Sequence, residues 1–192
     1  MQLYLIRHTT PAVAAGICYG QTDIDVAASF QEEFELLLGK LPVAANTAIY
    51  SSPLQRCLKL ASRVADELNC PEITQDPRLM ELNFGAWEMR HWQDIPRGMI
   101  DVWADDHVMQ ASPNGESFHC LYQRARSFLM EVSTRHSAES VVVFTHAGVI
   151  RALLAEALQL PLAHAFRLQA DYGSVTQIIV DGLVTRVGYV NR

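Results

Sequence analysis

Apolar residues recur along the chain in two rhythms, short unbroken runs and longer stretches at helical spacing. Leu3-Tyr4-Leu5-Ile6 and Val141-Val142-Val143-Phe144 are unbroken runs of strand length, the pattern of strands covered on both faces. Residues 47–50 read as another strand, and a short one is predicted at 72–74. Residues 175–180 and 183–189 flank Asp181-Gly182, and Asp-Gly favours the type I′ turn of a hairpin. Helical spacing predicts a helix over 31–38 and another entered through Ser52 as N-cap and Pro53 as first helical residue. Its stripe is Leu54, Cys57, Leu58, Ala61, Val64, Ala65 and Leu68. Residues 113–116 open a longer helix with Phe118, Leu121, Tyr122, Ala125, Phe128, Leu129 and Val132 on one side, and a last helix covers 149–158. Residues 84–112 follow neither rhythm, hold all three tryptophans, and read as an irregular insertion over the sheet. Strands alternating with helices, without an internal repeat or linker, predict an α/β fold.

The 192 residues suit one ordinary domain of about 100–200 residues. No apolar run is long enough to cross a bilayer. The first residues lack a basic leader and a small-residue cleavage site, which predicts a cytoplasmic protein. Cys18, Cys57, Cys70 and Cys120 are scattered, without the paired spacing of a zinc site, and read as reduced packing residues. No metal site and no cofactor is expected. A formal charge of −6 argues against broad nucleic-acid binding, which needs many Lys and Arg against phosphates. Any phosphate would be held locally.

Candidate chemistry begins where two of the strands end. Arg7-His8 follows the first apolar run and His146 follows Phe144-Thr145, and open parallel sheets bind ligands beyond the carboxyl ends of their strands. Arg56 falls in the first turn of the helix after the second strand, where free N–H groups and the helix dipole favour anions. One strand-end histidine commonly caps a strand, and one arginine is commonly a surface charge. Four such residues at one predicted sheet edge form a candidate anion pocket.

Five segments then carry a family likeness across nearly the whole chain. Leu5-Ile6-Arg7-His8, Tyr50-Ser51-Ser52-Pro53-Leu54-Gln55-Arg56, Leu79-Met80-Glu81-Leu82-Asn83-Phe84-Gly85, Gly115-Glu116-Ser117 and Val143-Phe144-Thr145-His146-Ala147-Gly148 resemble, in order and spacing, the histidine phosphatase (phosphoglycerate mutase-like) superfamily. The resemblance implies a mainly parallel sheet with helices on both faces and the insertion over the active-site edge. It implies His8 as the phosphorylated nucleophile, Arg7, Arg56 and His146 as phosphoryl ligands, and Glu81, rather than Glu88, as proton donor to the leaving group. Elementary chemistry agrees. A neutral imidazole is a competent nucleophile that neighbouring guanidiniums keep unprotonated, and fixed positive charge suits a transferring phosphoryl group. A carboxyl group can protonate the departing oxygen and then activate water.

Three positions depart from the family pattern. Thr9 stands where glycine usually follows the nucleophile, Pro11 where a small polar residue is usual and Ala14 where asparagine is, leaving Thr10, Gly20 and Gln21 as candidates for the remaining substrate contacts. Cys18-Tyr19-Gly20-Gln21-Thr22-Asp23, Phe84-Gly85-Ala86-Trp87-Glu88-Met89-Arg90 and Asn114-Gly115-Glu116 resemble the α-ribazole-5′-phosphate phosphatases of cobalamin nucleotide-loop assembly. That implies a small phosphomonoester substrate whose flat dimethylbenzimidazole stacks on an aromatic residue, with Trp87 foremost and Trp92 and Trp103 beside it. The same tryptophans could merely pack the insertion. A broad-specificity or sugar-phosphate phosphatase, a phosphoglycerate mutase and a non-catalytic phospholigand sensor are the alternatives. Oligomeric state is not legible.

Overall fold

The structure, a computed structural model, describes residues 1–41, 47–70, 72–137, 139–182 and 184–192. Six strands, β1 (Gln2–Arg7), β2 (Ala48–Ser51), β3 (Ile73–Gln75), β4 (Ser140–Thr145), β5 (Val175–Asp181) and β6 (Val184–Tyr189), join one sheet in the order β3-β2-β4-β1-β5-β6. β3, β2, β4 and β1 run parallel, whereas β5 and β6 add antiparallel at the β1 side. β1 and β4 are in register, Leu5 opposite Val143 and Arg7 opposite Thr145. His8 and His146 therefore leave the sheet side by side.

Side chains alternate across a strand, so each apolar run serves two cores. Leu3, Leu5, Val141 and Val143 face α4 (Phe118–Arg135) and α5 (Ala147–Leu158), meeting Leu121, Phe128 and Leu153. Tyr4, Ile6, Val142 and Phe144 face α1 (Phe30–Leu38) and α2 (Gln55–Glu67), meeting Phe34, Leu60 and Val64. Helices thus cover both faces, and each fully buried large apolar side chain contributes about 1.5–3 kcal/mol. A third, smaller cluster of Cys18, Trp87 and Ile95, with Phe84, Trp92, Ile100 and Trp103 around it, ties the insertion together.

Four local expectations change. The insertion is not wholly irregular, since it contains α3 (Arg97–Asp105). Residues 113–116 form a turn instead of a helix start, with Asn114 at φ 59°, and Ser117 caps α4 by accepting the Cys120 N–H at 3.3 Å. α2 starts at Gln55 behind an extended Leu54, so Pro53 lies outside it and Ser52 is not its cap. Its buried stripe includes Arg56 and Leu60, while Leu58 is only half-buried. In the hairpin, Asp181 pairs with Val184 and so belongs to the strand, and Gly182 at φ 58° carries the reversal; Leu183 lies outside the described residues. Among the described residues no helix is long and apolar enough to cross a membrane.

Candidate active site

The carboxyl ends of β1, β4 and β2 deliver His8, His146 and Ser52 to one place. His8 is 1% exposed, and its ring centroid lies 5.1 Å from that of His146. His8 Nδ1 sits 2.7 Å from the Thr9 carbonyl oxygen. That oxygen can only accept, so Nδ1 carries the proton and Nε2 keeps its lone pair. Burial, then the charges of Arg56 and Arg7, hold the His8 pKa well below the usual histidine value, so the ring is neutral. Thr9 is not among the described residues with positive φ, so the position where the family pattern has glycine needs no left-handed backbone here.

Arg56 is fully buried at the start of α2, an expensive place for a charge unless its donors are occupied. Nη1 donates to the Thr22 carbonyl at 2.9 Å and Nη2 to the Gly20 carbonyl at 2.7 Å. Gly20 takes φ 37°, and a Cβ there would lie 2.3 Å from a Glu88 oxygen, which explains the glycine. Arg7 donates from Nη1 to the Ala170 carbonyl at 2.6 Å and stacks 3.8 Å from the Tyr172 ring centroid. The Nε groups of both arginines are buried with no acceptor among the described residues. Two oriented cationic donors beside a nucleophilic nitrogen suit an anion with several oxygens.

His146 is also fully buried and held neutral, by burial first and then by Arg56. Ser52 Oγ lies 2.8 Å from its Nε2, and the Cys57 sulfur lies 3.4 Å from the same nitrogen. Ser52 thus fixes the second histidine instead of capping a helix.

Glu81 sits at the amino end of α5. It accepts the Gly148 N–H at 3.1 and 3.2 Å and the Leu82 N–H at 2.9 Å. A Cβ on Gly148 would come within 2.2 Å of Glu81 Oε1, so only glycine lets the carboxylate approach the helix. The backbone under Glu81 is gripped by Arg124, which donates to the carbonyls of Arg78, Met80 and Glu81 and pairs with Glu116 at 2.6 Å. Glu88, the other candidate acid, accepts from the N–H groups of Gln21, Thr22 and Phe84 and from the Thr22 hydroxyl, so its oxygens are spent joining two loops.

The site opens into a cavity of about 310 Å³. Arg7, Tyr19, Gly20, Glu81, Gly148 and Arg151 line it, with Leu82, Phe84, Trp92, Phe118 and Phe166 as an apolar wall. Arg7, Gly20 and Glu81 thus reach the cavity directly, whereas His8, Arg56 and His146 are grouped with Arg7 and do not themselves line it. Gln21 lies one layer behind, where its Nε2 donates to the Glu81 carbonyl at 2.9 Å. Thr10 turns toward α1, its N–H donating to Glu33 at 2.8 Å. Trp87 does not line the cavity: it is 2% exposed inside the insertion's own cluster, because the turn at Gly85 tucks it under Cys18 and Ile95, and Trp92 lines the wall instead. Sequence reading did not find Tyr19, Tyr172, Phe166, Arg124 or Arg151 as site residues. Among the described residues no three His, Cys, Asp or Glu side chains converge as a metal site.

This arrangement, a neutral strand-end histidine with one buried and one half-buried arginine and a carboxylate on a helix start, suits phosphoryl transfer, and the sequence places the protein more narrowly. The chain belongs to the histidine phosphatase superfamily (branch 1), whose family model matches residues 3–191, and it is a phosphatase of that superfamily. It is 28% identical over 195 residues to the putative phosphoserine phosphatase 2 of Hydrogenobacter thermophilus, covering 100% of this chain and 95% of that protein. It is 28% identical over 185 residues to the adenosylcobalamin/alpha-ribazole phosphatase of Escherichia coli, covering 94% and 91%. The crystal structure of a putative alpha-ribazole-5′-P phosphatase from Escherichia coli superposes with a TM-score of 0.90 at 24% identity, covering 100% of this chain and 96% of that one.

Proposed function

We propose that the protein hydrolyses small phosphomonoesters through a phosphohistidine at His8, and that α-ribazole 5′-phosphate is its substrate. The observation that carries the chemistry is the pair of buried Nε donors of Arg7 and Arg56, without an acceptor among the described residues, beside a histidine whose Nδ1–H is already bonded to Thr9. In the first step the Nε2 lone pair forms a bond to phosphorus and the ester P–O bond breaks. Glu81 gives its proton to the departing oxygen. The Thr9 carbonyl stabilises the positive charge that develops on the ring, and the guanidiniums hold the equatorial oxygens. In the second step Glu81 takes a proton from water, the water oxygen bonds to phosphorus, and the P–N bond breaks to return neutral His8 and phosphate.

The apolar wall of Leu82, Phe84, Trp92, Phe118 and Phe166 supports a leaving group that carries a flat apolar ring, as α-ribazole carries its benzimidazole, and the alpha-ribazole phosphatase relative agrees with it. One observation favours a second reading. Arg151 lines the same cavity, donates from Nε to the Leu168 carbonyl at 2.9 Å, and has no acceptor for its Nη groups among the described residues. A leaving group bearing a carboxylate, as in phosphoserine, would meet that cation.

The two readings separate in kcat/KM for α-ribazole 5′-phosphate, phosphoserine, a phosphoglycerate and an aryl phosphate, measured by release of inorganic phosphate, with Trp92→Ala and Arg151→Gln alongside. For the α-ribazole assignment, that ester leads the panel and Trp92→Ala loses about 10-fold or more of the preference, within the ~1–3 kcal/mol that one pocket contact supplies. Phosphoserine leading by tenfold, with the lead lost in Arg151→Gln, would replace it.

A further inference from the structure

Each pocket arginine is gripped by a backbone carbonyl that lies within two residues of a tyrosine. Gly20, whose carbonyl holds Arg56 Nη2 at 2.7 Å, directly follows Tyr19. Ala170, whose carbonyl holds Arg7 Nη1 at 2.6 Å, stands two residues before Tyr172. The two tyrosine hydroxyls hydrogen-bond to each other at 2.9 Å, although the residues are 153 positions apart. Tyr172 also lies with its ring centroid 3.8 Å from the Arg7 guanidinium carbon and 5.5 Å from the His8 ring. The Tyr19 ring lies 5.3 Å from the guanidinium carbon of Arg56. With Ala170 fixing one end of the Arg7 fork and the Tyr172 ring covering one face, the buried Nε edge is what remains for a ligand.

We propose that Tyr172 is a positioning residue for phosphoryl capture, acting through Arg7, and that its hydroxyl contact with Tyr19 couples the loop that holds Arg7 to the loop that holds Arg56. This rests on the reading of Arg7 and Arg56 as phosphoryl ligands. The tyrosines touch the guanidiniums whether the site holds an ester or the transition state, so their loss removes binding common to both and is read in KM more than in kcat. The hydroxyl tie is one contact shared by two residues, so removing either partner removes all of it. Tyr19→Phe and Tyr172→Phe must then behave alike, and the double variant must be no worse than either single one.

The experiment measures KM and kcat on an aryl phosphate and the competitive Ki of inorganic phosphate for the unaltered enzyme, Tyr19→Phe, Tyr172→Phe, their double variant and Tyr172→Leu, with melting temperatures alongside. Tyr172→Leu is expected to raise KM and the phosphate Ki together by about 3- to 30-fold, the range of a partly desolvated cation–π contact, with kcat within about threefold. Tyr172→Phe, which keeps the ring over Arg7, is expected to recover most of that loss and to match both Tyr19→Phe and the double variant. A phosphate Ki for Tyr172→Leu within twofold of the unaltered enzyme would overturn the proposal, as would a fall in kcat at constant phosphate Ki, or additive losses in the two Phe variants. If Tyr172→Leu fails to fold, Tyr172→Met tests the ring contact in its place by the same Ki criterion, and the Phe cycle decides the hydroxyl tie. Failure of phosphate to compete in the unaltered enzyme would instead overturn the reading of the pocket, and this inference with it.

Discussion

The two nitrogens of His8 have separate duties, and a single backbone carbonyl assigns them. Thr9 O accepts the Nδ1–H hydrogen bond at 2.7 Å, which leaves the Nε2 lone pair for the proposed attack on phosphorus. The division at the carboxylates is just as sharp. Glu88 has four donors on its two oxygens, three of them backbone N–H groups, whereas Glu81 lines the cavity and is held by the Leu82 and Gly148 N–H groups. Glu81→Gln keeps the shape and removes the proton. Turnover of an alkyl phosphate is expected to fall by about 10²–10⁴-fold, the usual contribution of a positioned general acid, and turnover of an activated aryl phosphate by much less. Rates for both substrate classes in Glu81→Gln check this, and an equal loss on both would remove Glu81 as the acid. At this scale His8, Arg7, Arg56 and His146 were legible because each follows or opens an element whose end the apolar pattern marks. Tyr172 and Arg151 were not, since a loop's closure and a helix's phase against a cavity have no trace in local spacing.

At the scale of elements, the apolar rhythm located the central strands β1 and β4 and the helices that pack on the sheet, because burial on both faces leaves unbroken runs and burial on one face leaves stripes. Element ends were less legible, since they depend on partners far along the chain. Ser52 before Pro53 has the composition of a helix start, yet its hydroxyl serves His146, 94 residues away. Residues 113–116 open no helix because Glu116 is occupied elsewhere: it accepts the Asn83 N–H at 3.0 Å and pairs with Arg124. The insertion gave the sharpest divergence. It has no period to say which aromatic faces inward, and the turn at Gly85 and the packing of α3 turned Trp87 into its core and Trp92 toward the cavity. Glu81 and the motif around Glu116 owed their place in the sequence reading to the family likeness, and the structure supplies the reason: the Arg124 grip on the backbone of residues 78–81.

For the whole molecule, keeping two histidines neutral inside the sheet edge links stability to pH. Burial, followed by the charge of Arg56, lowers the pKa of both His8 and His146 below the unfolded value of 6.5. Well above pH 6.5 neither state binds these protons, and the fold has its full stability. Below it the unfolded chain takes up protons that the folded one refuses, so stability falls with falling pH, by up to about 1.4 kcal/mol per pH unit for each histidine, until the folded pKa values are reached. Denaturant midpoints measured from pH 8 to pH 5 are expected to be level above 7 and to drop below 6.5, and His146→Gln, if it folds, is expected to flatten part of the drop. Midpoints unchanged to pH 5 would contradict the neutral burial of the pair.

The proposed hydrolysis passes through a covalent phosphoryl group on His8 Nε2, and that group can be trapped. Enzyme turning over a radiolabelled phosphomonoester in buffer containing a metal chelator is denatured, and the label is located by peptide mapping. The expected result is an acid-labile, alkali-stable phosphohistidine at His8, absent from His8→Ala, and reduced in formation rate by about 10²–10³-fold in Arg56→Ala, the usual cost of one preorganised donor to a developing charge. Phosphate release by His8→Ala at the unaltered rate, or label on any other residue, would contradict it.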